Sequence, residues 1–89
     1  MKAVITVTGK DAVGIIAEVA TVCAEHHANI LDITQSVLSE YFAMIMLVEL
    51  GALEVSFDSF ATSLSSLGKE KGLEIHAMHE DIFNAMHRI

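Results

Sequence analysis

The residues able to do chemistry in this sequence are few: five histidines, one cysteine, scattered carboxylates and a turn bearing two glycines. Cys23 falls on the apolar stripe of a helix expected over Ala12–His27, with no Lys or Arg close in sequence. A nucleophilic thiolate needs an electropositive, partly exposed setting, so Cys23 reads as a packed core residue. His26 and His27 stand at the end of that helix, His76 and His79 on or just after the last expected strand, and His87 in the tail. Residues three apart on a strand point to opposite faces, so His76 and His79 cannot chelate together there. His26 near a helix C-terminus suits the negative end of the dipole. Asp32, Glu49, Glu80 and Asp81 converge at no spacing that general acid–base chemistry would use. No catalytic set, cofactor or metal site is expected.

The informative stretch is Thr8-Gly9-Lys10-Asp11-Ala12-Val13-Gly14-Ile15, a strand-to-helix turn. Gly9 permits either a positive φ or a close backbone approach. Gly14 leaves no side chain over the helix N-terminus, where amides carry partial positive charge and suit a small carboxylate. The Gly9-to-Gly14 spacing is followed by Ile15 rather than the lysine of a phosphate loop. Asp11 has two readings that stay open: a cap for the helix, or a contact for a ligand ammonium.

The chain that must position this turn has 89 residues, of which 5 are basic and 12 acidic, for a net charge of −7, and 53% are apolar. That size predicts a single domain over 1–89 with one small core. Scattered Lys2, Lys10, Lys69, Lys71 and Arg88 exclude direct nucleic-acid binding, which needs clustered cations. A lone cysteine cannot form an internal disulfide. No stretch is apolar enough to span a membrane and no cleavage signal is present, so no membrane partner and a cytoplasmic location are expected.

Alternating β-branched residues predict a strand over Lys2–Thr8. The helix that follows is expected to bury Ile16, Val19, Ala20 and Cys23. A second strand, Asn29–Leu38, would carry Leu31, Ile33 and Val37 on one face. A polar break at Ser39-Glu40 leads to Tyr41–Leu50, apolar on both faces, so its second face also needs cover. Ser56 opens a second helix burying Phe57, Phe60, Leu64 and Leu67, and Gly72 ends it. Leu73–Met78 reads as a fourth strand and Glu80–Ile89 as an amphipathic tail. This order gives an α+β fold: a ferredoxin-like βαββαβ sandwich, a four-stranded antiparallel sheet with two helices on one face and a short C-terminal tail.

Asp11, Gly14, Ile15, Ile16, Val19, Val22, Cys23, Asn29 and Ile30 resemble the signature of the ACT domain family, over a core of about 3–78 with 80–89 as tail. Many relatives place glycine where His27 stands. The resemblance implies a regulatory module that binds an amino acid or similar metabolite at an interface between two copies. It implies ligand-binding roles for Asp11 and Asn29, with Gly9, Val13, Gly14 and Ile15 forming the neighbouring wall. The tail is similar to that of stand-alone members, including relatives of the glycine cleavage system repressor, which acts through a protein partner. The expectation is therefore a non-catalytic cytoplasmic homodimer or higher homo-oligomer that senses a small molecule. A ligand-free protein-interaction module and a His-based metal-binding regulator are the alternatives.

Overall fold

The computed structural model describes residues 1–10 and 13–86. Its elements run β1 (Lys2–Gly9), α1 (Ile15–Glu25), β2 (Asn29–Leu38), β3 (Tyr41–Glu49), α2 (Phe57–Lys71), β4 (Glu74–His79) and α3 (Glu80–Met86). The four strands form one sheet in the order β2-β3-β1-β4, every neighbouring pair antiparallel. This is the expected ferredoxin-like arrangement. Among the described residues no helix is long and apolar enough to cross a membrane.

Period-two alternation puts Ala3, Ile5 and Val7 of β1 and Met44, Met46 and Val48 of β3 on the same face. All six are buried, in one cluster with Ile15, Val19 and Cys23 of α1 and Phe60 and Leu64 of α2. The sheet and both long helices therefore share one core. Val4 points to the other face, yet it is only 4% exposed. Its cover is α3, which turns straight off β4 and lies against β1 and β4. The described part of the tail thus packs on its own sheet. Its last residues, including His87 and Ile89, lie outside the described residues.

Two helix ends share one device. After α1, His27 adopts φ 60°, and the amide of Ala28 donates to the Cys23 carbonyl at 2.8 Å while that of His27 donates to Ala24 at 3.1 Å. After α2, Gly72 adopts φ 70° and Leu73 donates to Gly68 at 2.8 Å. Both are Schellman closures, which satisfy carbonyls that a helix end leaves free. The α2 N-terminus is closed by Ser56, whose hydroxyl accepts from the Ser59 amide at 3.1 Å.

Two expected faces shift. Helix α1 begins at Ile15, later than Ala12, and its inward stripe is Ile15, Val19 and Cys23, leaving Ile16 37% exposed. The stripes through Ile15 and Ile16 are both helical, and starting the helix after Gly14 selects the first. In β2 the register slips between Ile30 and Asp32, so Leu31 is the extra residue of a bulge. The bulge breaks the two-residue count, and Ile30 packs on the core in the position the alternation gave to Leu31.

Candidate functional site

The β1–α1 corner is built by close packing on one side and an open helix start on the other. Gly9 ends β1 without a positive φ; a Cβ there would collide with the side chain of Leu73. Of the two uses of glycine, close approach is the one realised. Gly14 is the N-cap of α1 at φ 75°, with no side chain to cap the first turn. Asp11, expected as cap or ligand contact, lies outside the described residues. Val13 stands 93% exposed at the mouth, whereas the Ile15 side chain is in the core, so Ile15 offers only backbone to this corner.

Beside the corner is a depression of about 170 Å³ lined by Val13, Ile15, Lys71 and Leu73. Lys71, in the last turn of α2, reaches Glu18 of α1 at 3.0 Å. The other carboxylate oxygen of Glu18, Oε2, is buried and has no hydrogen-bond partner among the described residues. Neither residue was marked by the sequence: the signal was a lysine just before the helix-ending Gly72, meaningful only once α2 ends against α1. Lys10, on the other side of the corner, lies 5.5 Å from the Tyr41 ring centroid and 3.9 Å from Glu40, tying the corner to the β2–β3 hairpin.

Asn29 is not at this corner. It opens β2 opposite Glu49, which in turn faces Lys2, whereas Gly9 faces Phe42 and Val37 at the far end of the sheet. Seven residues of β1 separate the two rows, about 23 Å at the rise of a strand. Near Asn29, Glu49 accepts from the Met1 ammonium at 3.0 Å and from the Gly51 amide at 2.8 Å. Those donors hold its carboxyl below the usual carboxylate range.

The remaining candidates have structural partners. His76 pairs with Thr6 and His79 with Ala3, so they occupy opposite faces. His79 stacks on Phe57 with ring centroids 4.3 Å apart. The His26 Nδ1 donates to the Val22 carbonyl at 2.8 Å while its ring edge meets Phe60. Burial pushes the Cys23 thiol up to about 11, the opposite of an activated nucleophile. Among the described residues no three His, Cys, Asp or Glu side chains group to hold a metal. A larger depression of about 310 Å³ beside β4 presents Asp58 and His76 among small residues, and no lysine or arginine for a ligand carboxylate.

The ACT domain family pattern matches residues 2–78. A UPF0237 protein of Clostridium acetobutylicum is 53% identical over 89 residues, all of both chains. An ACT domain protein from Streptococcus pneumoniae superimposes with a TM-score of 0.80 at 39% identity, over 98% of each chain. A protein assigned as a glycine cleavage system transcriptional repressor superimposes with a TM-score of 0.70 at 26% identity, over 86% of this chain and 44% of its own. With the pattern spanning both split crossovers, the chain belongs to the ACT domain family, a family of regulatory domains that bind small ligands.

Proposed function

We propose that this chain is a non-catalytic, cytoplasmic regulator that binds an amino acid or similar zwitterion between two copies of itself and signals through a protein partner. The observation that supports this reading is the separation of Asn29 from the Gly9–Ile15 corner. A ligand of amino-acid size cannot touch both ends of one sheet. Strand β2 is an edge, with Leu31, Ile33 and Val37 exposed along it. Two copies joined by antiparallel β2 edges, about a two-fold axis near mid-strand, carry Asn29 of the partner subunit to the corner end. The same contact covers those three apolar residues. The carboxamide both donates and accepts, so it suits either end of a zwitterion.

A ligand held across the interface stabilises the folded dimer by mass action, about 2.7 kcal/mol at a hundred times its Kd. The test is a thermal-shift screen of the twenty L-amino acids beside sedimentation of the free protein. A dimer is expected, with Tm raised by at least one amino acid and the rise weakened in Asn29→Ala. A panel that leaves Tm unmoved would overturn the sensor reading. A ligand-free interaction module is the second reading, favoured by Val37, Leu38 and Tyr41 standing exposed together at the hairpin tip. It expects no thermal shift and no dimer dissociation on mutating Asn29.

A further inference from the structure

We propose that β4 and the groove between it and α2 are where the protein partner docks, an extended basic segment of that partner adding to the sheet as a fifth strand. This rests on the reading that the chain signals through a protein partner, and supplies the surface and the chemistry of that contact. With β2 given to the second copy, β4 is the sheet edge that remains. An edge strand presents a row of N–H and C=O groups to any extended chain, and proteins normally blunt it with lysine, proline or a bulge. Strand β4 has none of these: it reads Glu-Ile-His-Ala-Met-His and pairs with β1 without a register shift. Helix α3 lies across β1 as well as β4, so it covers a face of the sheet and not this edge.

Along this edge lies the depression of about 310 Å³, walled by Ala61, Thr62 and Ser65 of α2 on one side and by β4 on the other. The small helix side chains leave room for every second side chain of an added strand, while main-chain bonds to β4 supply affinity. Charge decides the occupant. Phe57 stacks on His79, so Asp58 beside it stands at the His79 end of the groove. Glu74 opens β4 at the other end, exposed with His76 on the face away from the core. No lysine or arginine lines the groove. Strand residues five apart point to opposite faces, so a segment with Lys or Arg at those two positions meets both carboxylates. A second copy does not offer this, because its β4 holds no Lys or Arg and each copy carries a net charge of −7.

The experiment selects phage-displayed random octapeptides on the full chain, then titrates synthetic copies of the enriched sequences by fluorescence anisotropy against wild type, Asp58→Asn, Asp58→Glu and Thr62→Trp. Enriched peptides are expected to carry Lys or Arg five residues apart around a β-branched stretch. N-methylation of alternate amides should weaken binding about tenfold in one register and little in the other, which only strand addition explains. Asp58→Asn should lose about threefold and Asp58→Glu restore it. Thr62 is exposed on α2, so Thr62→Trp should fill the groove and abolish binding with Tm near wild type. Peptides that lack cations, tolerate N-methylation in both registers or bind Thr62→Trp unchanged would overturn the inference, as would a selection that enriches nothing. A Thr62→Trp chain that sediments as a smaller assembly than wild type would give this edge to a second copy and overturn it too. If the peptides fail while the amino-acid shift in Tm and its dependence on Asn29 hold, the sensor reading stands without this surface.

Discussion

A Cβ placed on Gly68 would sit 2.7 Å from the carbonyl oxygen of Leu73, and 3.0 Å from the side chain of Ile75. Gly68 faces the core from the middle of α2's last turns, and the chain reversal through Gly72 brings β4 directly beneath it. The obstructing atom is backbone, so no rotamer change relieves the clash. Gly68→Ala is expected to destabilise the fold by about 1–3 kcal/mol, the usual cost of overpacking, against the gain in helix propensity that alanine normally brings. A urea melt beside wild type measures it. A stabilised variant would show that α2 and β4 do not approach this closely.

His27 is the opposite case, a side chain where the backbone favours none. At φ 60° it holds the left-handed position of the α1 closure, as Gly72 does for α2. Its side chain reaches Glu54 at 3.6 Å, both side chains well exposed, a contact worth little. His27→Gly is therefore expected to raise stability by about 0.5–1 kcal/mol, less what glycine adds to the freedom of the unfolded chain. Chemical denaturation at constant pH checks the sign, which is the informative part.

Much of this was legible in advance because local signals and the global fold agree. The β-branched run of β1, the Phe60–Leu64 spacing of α2 and the Ser56 and Gly72 caps each specify the element found. The faces of α1 and β2 differ from expectation because a count along the chain cannot see that the helix starts at Ile15 rather than Ala12, or where a strand bulges. The corner glycines were readable as special, but their difference was not: Gly14 needs its φ, whereas Gly9 needs room for Leu73, a residue 64 positions away in sequence. Lys71 and Glu18 were invisible for the same reason, being joined only by the packing of α2 on α1. Asn29 carried a family signature, yet only the strand register shows that it belongs to the far end of the sheet.

The buried Cys23 gives stability a definite alkaline dependence. Its thiol lies at about 11 in the folded chain against an ordinary value of 9.0. Above 9.0 the unfolded chain releases the proton first, so unfolding gains from rising pH. The contribution is complete below about 9 and is lost as pH rises toward about 11. Cys23→Ala should be less stable near neutrality through lost packing, yet lose less of its stability between pH 8 and 11 than wild type, and comparing the two cancels the other titrating groups. Native protein should also resist Ellman's reagent at pH 8 and react once unfolded in urea. Rapid native labelling would place the thiol outside the core.

The interface reading makes a demand that single-site variants cannot meet, because each proposed site takes its corner from one chain and Asn29 from another. Asn29→Ala removes the second half, and the side chain is exposed, so the fold is expected to tolerate it. Gly14→Val damages the first half: a Cβ there meets no atom within 4 Å, but the residue must hold φ 75° and its branches project over the helix start. Either variant alone should bind poorly at both sites of its homodimer. Mixed after denaturation and refolding together, the two chains form a heterodimer in which one site has both halves intact and the other has neither. Half of the chains in a statistical mixture sit in such dimers, so about a quarter of the wild-type sites should return at wild-type affinity. Calorimetric titration of the mixture counts them. A mixture that binds no better than its two components would place the corner and Asn29 in separate sites, and the two-chain ligand would have to be abandoned.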